Sequence, residues 1–363
     1  MALDRSRRDQ YKTKVVEGFP DKIVMPRFTK QLSLRYGQNP GSPAAFYIEE
    51  GATGPNMANF DVLQEGKGLG FINVGDMDLG QRVVKTLHDI YTGNGGGVAC
   101  CIVKHEMPSG VALGKDAYDA FNKAWGSDPL SSFGGVHVFS AGVDDGLARL
   151  LVERERNAEV VYAPAFTEDA LVVLTERKSL RVVQMSDITE DAIDNGIEYK
   201  RVSGGLLVEK RFSTRIRSWE DVRCISEREP TEEEMKAAIF NWIVASYTRS
   251  NAVVIGTGDK THGIGSGQRS RIDAAEQAIH FANGRGGKNE SYGSKGTFMA
   301  SDAYMPQTDV VEAAAEAGVT GIIFPLGSIR DQEVIDAGNE RGLALIATGA
   351  PGETSDERCF FHR

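Results

Sequence analysis

The stretch "DVVEAAAEAGVTGIIFPLGSIRDQEVIDAGNERGLALIAT", residues 309–348, runs the same pattern twice. Small and apolar residues at helical spacing lead from Asp309 to Gly318, and "TGIIF" is a short β-branched run that reads as a buried strand. "PLG" is a turn. "SIRDQEVIDAGNERG" predicts a second helix with Ser328 as N-cap and Asp331 three residues on, and "LALIAT" predicts a final strand. Strands alternating with helices of about 10 to 15 residues imply a sheet covered by helices.

The alternation extends toward the N-terminus. "GVACCIVKH" (97–105), "VHVFS" (136–140), "EVVYAP" (159–164) and "LRVVQM" (180–185) read as strands. "DAYDAFNKAWG", "DDGLARLLVERERN" and "TEDALVVLTER" read as the helices between them, the first stopped by Gly126. The polar stretch from Ser186 to Ser203 marks a boundary, which gives units 1–195 and 196–363. Beyond it, "TEEEMKAAIFNWIVASYTRS" is the longest helix pattern, with Thr231 and Glu234 at capping-box spacing. The halves echo each other faintly: "IVKHEMP" and "FMASDAYMP" both end a strand in polar residues followed by proline. The glycine-rich "NGRGGKNESYGSKG" (283–296) reads as a surface loop.

Of 363 residues, 41% are hydrophobic and 25% charged, enough for two or three packed units. A net charge of −10 argues against nucleic-acid binding by the whole surface, so an anionic ligand needs a local basic cluster. The four cysteines (100, 101, 224 and 359) form no CxxC pair, which suits a reducing cytoplasm. No run approaches membrane-spanning length, and the basic start lacks the apolar core of a signal peptide. Six scattered histidines without HExxH, and cysteines without zinc spacing, give no metal site; no GxSxG elbow appears either.

Three clusters carry polar chemistry. Lys104 and His105 close a strand, where α/β proteins gather ligands; Pro108 and Gly110 fit a break there. A histidine can take a proton and a lysine can stabilise an oxyanion, although two polar side chains after a strand can also simply face solvent. In "HGIGSGQRSRIDAAEQAI" (262–279), three glycines precede a helix that opens on Arg269 and Arg271. That pattern suits an anion at a helix N-terminus, or simply a glycine-rich turn with solvated arginines. In "LSLRYGQNPGSPAAFY" (32–47), Arg35 and Tyr36 precede a turn built on Gly37, Asn39 and Pro40.

Taken in order, "LRYGQNP", "GFIN", "KHEMPSG", "SDPLSSFGG", "EVVYAP", "YTRSNAVV", "IGSGQRSRID", "SDAYMP", "PLGSIRD" and "RCFFHR" resemble the transformylase part of the bifunctional purine-biosynthesis proteins. The resemblance runs from Leu32 to the C-terminus. It implies two cytidine-deaminase-like α/β units packed together without zinc, and a homodimer whose active site is completed at the interface. The implied reaction moves a formyl group from the co-substrate 10-formyltetrahydrofolate to the 5-amino group of AICAR, giving FAICAR, in a cytoplasmic enzyme of inosine monophosphate synthesis. Carried over by position, His105 is the proton acceptor, Lys104 stabilises the transition state, and Asn251 lies beside the formyl group. Arg35, Tyr36, Gly134, Glu159, Arg271, Tyr304 and Arg358 match nucleotide-binding positions; Ile272, Asp309, Ser328 and Ile329 match folate-binding ones.

The family's cyclohydrolase domain has no counterpart ahead of "LRYG", so a standalone transformylase that depends on a separate cyclohydrolase is expected. No metal, nucleic acid or membrane partner is expected. The chain departs from the family at Gly41, at "EMPS" after "KH", and at Met305, Gln307 and Thr308, the last group near the folate side. Other readings are a cyclohydrolase or amidohydrolase acting on FAICAR, a noncatalytic nucleotide-binding relative, and a zinc deaminase, which lacks its ligand set here.

Overall fold

Alternate residues of strand Val98–Lys104 face opposite sides of a sheet: Ala99, Cys101 and Val103 enter one core, Cys100 and Ile102 another. A strand buried on both faces needs helices on both sides, and the computed structural model supplies them. It describes residues 19–52, 56–91, 97–185, 197–210, 214, 216, 218–284 and 292–349.

A hairpin comes first, β1 (Phe28–Leu34) with β2 (Ala44–Glu49). The first unit then runs β3 (Asp61–Gln64), α1 (Phe71–Tyr91), β4 (Val98–Lys104), β5 (Met107–Gly114), α2 (Ala117–Ser127), α3 (Pro129–Ser132), β6 (Val136–Phe139), α4 (Asp145–Val152), β7 (Val160–Ala163), α5 (Glu168–Glu176) and β8 (Arg181–Gln184). A second hairpin, β9 (Ile197–Val202) with β10 (Gly205–Lys210), leads into the other unit. That unit runs β11 (Arg223–Cys224), α6 (Glu232–Ser246), β12 (Val253–Gly256), β13 (Thr261–Gly265), α7 (Arg271–Gly284), β14 (Phe298–Ser301), α8 (Asp309–Glu316), β15 (Gly321–Phe324), α9 (Asp331–Glu340) and β16 (Ala344–Ala347).

The two six-stranded sheets have one topology, β3-β8-β7-β6-β4-β5 and β11-β16-β15-β14-β12-β13. In each, a hairpin is antiparallel to the next strand and three strands are parallel. The repeat is real, but its register differs from the sequence expectation. "IVKH" lies on β4, whose counterpart is β12, whereas "FMAS" is β14, the counterpart of β6. The hairpin β4–β5 therefore answers to β12–β13, and a shared proline after a strand is a coincidence of turns.

The sheets meet edge to edge. Ala112 on β5 bridges Lys260 in antiparallel sense, Leu113 N donates to Asp259 O at 2.7 Å, and Val111 N donates to Thr261 Oγ1 at 3.0 Å. On one face α1 and α6 share a single apolar cluster with both sheets, joined by Thr86 Oγ1 and Tyr247 OH 2.7 Å apart. On the other face α2, α4 and α5 cover the first sheet, and α7, α8 and α9 the second. The two units are thus α/β layers with a common core. The expected boundary at 195/196 falls outside the described residues, and so do residues 285–291 of the expected glycine-rich loop.

Local signals explain the starts of several helices. Asp116, Asp144 and Thr167 accept the N-terminal amides of α2, α4 and α5. Thr231 and Glu234 form the expected capping box on α6. Ser328 does not cap α9 directly: the helix starts at Asp331, whose carboxylate reaches back to Gly327 N and Ser328 N, while Ser328 Oγ accepts from Arg330 N. Among the described residues no helix is long and apolar enough to cross a membrane.

Candidate active site

Lys104 and Met107 pair across a two-residue hairpin turn made by His105 and Glu106, whose φ angles are 55° and 60°. They are the only non-glycine residues with positive φ among the described ones. A turn of this shape favours Asn-Gly, and each L-residue held there costs about 1–2 kcal/mol. Asp76, buried on α1, offsets that cost. Its Oδ2 accepts from His105 N at 3.2 Å and its Oδ1 from Glu106 N at 2.6 Å. Burial pushes the Asp76 carboxyl up to about 7, and Glu106 and Glu159 push the same way; the two turn amides pull it down. Pro108 and Gly110 do not break the strand, as the sequence suggested. Both lie inside β5, and a Cβ on Gly110 would run into the Ala124 carbonyl of α2.

From this turn a chain of contacts follows the sheet edge. Lys104 Nζ donates to Phe133 O at 2.7 Å. Gly134, at φ 78°, donates its N–H to Asn157 O at 2.6 Å, and Glu159 N donates to Gly135 O at 3.0 Å. Glu159 Oε2 accepts from Asn73 Nδ2 at 3.2 Å and lies 3.6 Å from Nη1 of buried Arg181. Arg181 Nε donates to Gly68 O at 2.8 Å, which holds the approach to α1. Gly70 N donates to Asn73 Oδ1, Phe71 N to Tyr36 O, and Arg35 N to Leu69 O. The exposed Arg35 guanidinium sits 5.3 Å from the centre of the Tyr36 ring. The structure therefore brings Arg35, Tyr36, Lys104, His105, Gly134 and Glu159 to one edge.

That edge is not the one sequence reasoning invoked. β4 runs against β6, so its carboxyl end lies beside the amino ends of β6, β7 and β8. The second group occupies the usual carboxyl edge. Asn251 precedes β12, Tyr304 follows β14, Asp309 opens α8, and Ser328 and Ile329 follow β15. Because β5 and β13 meet antiparallel, both edges fall on the same side of the molecule: Ser266 Oγ donates to Met107 Sδ at 3.2 Å. A cavity of about 500 Å³ opens at this seam, lined by Lys104, His105 and Asp128 from the first unit and Ser266, Gln268 and Phe281 from the second. Asn251 Nδ2 donates to Gln268 O at 2.8 Å, fixing that wall.

Arg271 is buried rather than splayed at a helix end. It pairs with fully buried Asp302, whose Oδ1 also accepts Ala252 N. Ile272 beside it is half-buried. The glycines before α7 serve packing: a Cβ on Gly263 or Gly265 would strike the backbone of α7 at Ala278 or Ala274. Only Gly267, at φ 65°, lies in the loop itself with a backbone that favours glycine. Met305 is fully buried in the outer core of the second sheet, and Gln307 is exposed. Arg358 lies outside the described residues. Among the described residues no group of three or more His, Cys, Asp or Glu could hold a metal ion.

Sequence reasoning assigned no role to Asn73, Asp76 or Arg181. The signal was available: Asn73 and Asp76 are polar residues three apart on a helix, hence on one face, and that face is buried.

A duplicated α/β protein with polar groups converging on one side, at the seam between its sheets, is the class that fold and site define. The chain belongs to the AICARFT/IMPCHase bienzyme family, whose model matches residues 4–281. It is 38% identical over 331 residues to the bifunctional purine biosynthesis protein PurH of Ruminiclostridium cellulolyticum. That match covers 91% of this chain but 60% of the relative, so the chain spans less than two thirds of that protein's length.

Proposed function

We propose that this chain works in purine biosynthesis as an AICAR formyltransferase, with 10-formyltetrahydrofolate as donor. The presentation of Lys104 and His105 on one held turn, bordering the seam cavity, carries this reading. The acceptor amine is a poor nucleophile, since its lone pair is shared with the imidazole and carboxamide. It attacks the formyl carbon as His105 takes its proton, and the Lys104 ammonium stabilises the tetrahedral oxyanion. The bond from carbon to the folate N10 then breaks, and His105 returns the proton to N10. The products are FAICAR and tetrahydrofolate.

Arg35, Tyr36, Gly134, Glu159, Arg271, Tyr304 and Arg358 hold the nucleotide in this reading. Ile272, Asp309, Ser328 and Ile329 hold the folate, with Asn251 beside the formyl group. A homodimer completes the site at its interface; exposed Phe28, Tyr47, Ile197 and Leu207 on the two flanking hairpins supply apolar surface for a second copy. A cyclohydrolase must consume FAICAR, because transfer to so weak an amine is close to balanced. The test is purified chain with AICAR and 10-formyltetrahydrofolate, following tetrahydrofolate and FAICAR. Formation of both in equal amounts is expected. Neither product, or hydrolysis of added FAICAR instead, overturns the reading.

A further inference from the structure

We infer that Asp76 is a positioning residue for the reaction, holding the His105–Glu106 turn in the left-handed conformation that aims Lys104 and His105 together. This rests on the proposed roles of those two side chains. A two-residue turn with both φ angles near 60° presents two adjacent N–H groups on one side, and here both point at one carboxylate. Asp76 is 3% exposed and reaches the turn from α1, an element separate in sequence from the hairpin. Neither His105 nor Glu106 relaxes into that conformation by its own preference, as glycine or asparagine would. Without the carboxylate, both residues favour negative φ, and the imidazole leaves the cavity wall that it shares with Lys104. Lys104 itself is held from the far side by Phe133 O, so the pair is fixed from two elements.

Asp76 touches no reacting atom in this scheme, so its loss acts on turnover through alignment. Asp76→Asn keeps the shape and one acceptor but sets an NH2 against the second turn amide. The expected result is a fall in kcat of roughly 10–100-fold with KM for AICAR within about threefold. Hydrogen exchange should quicken at the peptide spanning His105 and Glu106 while the rest of β4 and α1 stays protected. Adding Glu106→Gly to Asp76→Asn should recover part of the lost kcat, because glycine takes positive φ without strain.

A role of Asp76 confined to the stability of α1 would not respond to a change at residue 106. No recovery, unchanged exchange at the turn, or KM rising as much as kcat falls would each overturn the assignment. If Asp76→Asn also unprotects α1, Glu106→Val with Asp76 intact is the deciding variant. A β-branched residue at that φ should lower kcat in the same way, and a normal kcat there overturns the assignment. A wild-type chain without formyl transfer would sink the proposed reaction; the exchange measurement would still decide whether Asp76 holds the turn.

Discussion

Lys104 Nζ donates to the carbonyl of Phe133 at 2.7 Å, tying the end of the hairpin to the turn at Gly134. One side chain thus links the groups proposed for chemistry to those proposed for the nucleotide. Lys104→Met keeps the apolar stem and removes the charge and this hydrogen bond. It is expected to lower kcat by roughly 10²–10⁴, and His105→Ala by a similar factor, the range for loss of a general acid–base or oxyanion group. Steady-state kinetics check this; near-normal turnover in either variant would mean that the two side chains only meet solvent at the strand end.

Arginines in the two groups should behave differently when truncated. Arg35 is exposed, so Arg35→Ala is expected to leave stability within about 0.5 kcal/mol while weakening AICAR binding by about 1.5–3 kcal/mol. Arg271 is buried against Asp302, and Arg271→Ala strands that carboxylate without its cation. A stability loss of about 3–5 kcal/mol is expected before any effect on binding can be read. Urea titrations beside the kinetics separate the cases, and equal stability of the two variants would contradict the buried pair.

Gly265→Ala tests the reading of the glycine cluster. The new Cβ would overlap the Ala274 carbonyl of α7, forcing helix and strand apart. A loss of about 1–3 kcal/mol is expected, without the selective loss of anion binding that a phosphate-cradling loop predicts. Thermal melts and AICAR titration together decide; unchanged stability with lost binding restores the phosphate loop.

The strand and helix alternation was legible because short β-branched runs and helical spacing do not imitate each other over these lengths. "TGIIF" and "LALIAT" are strands of one helix-covered sheet, as their pattern implied, and the structure pairs them in parallel. The hairpin at 104–107 was not legible, since its positive-φ residues are His and Glu, which carry no turn signal; a carboxylate some thirty positions away holds them. The edge was misjudged for a different reason. A strand's direction relative to its neighbours depends on pairing, and β4 alone looks like any other buried strand. Gly263 and Gly265 show how one residue type serves two ends: close packing under a helix and a bare anion loop both ask for glycine.

His137 yields a pH prediction of definite sign. It is fully buried beside Phe121 and Trp125, and burial lowers its pKa to about 4, with Ser132 opposing and Arg177 assisting. In the unfolded chain the imidazole titrates near 6.5. Below that pH the unfolded state takes a proton that the folded state refuses, so the stability that His137 supports is whole above about 6.5 and falls as pH drops toward 4. The full loss is roughly 3 kcal/mol, from a shift of two to three pH units at about 1.36 kcal/mol each. His137→Phe keeps an aromatic ring in the cluster and removes the titration. The wild-type chain should therefore lose stability relative to the variant between pH 7 and 4, and hold a constant difference above pH 7. Denaturant midpoints at several pH values check it; parallel curves for the two proteins across that range would mean that folded His137 accepts a proton as readily as the unfolded chain does.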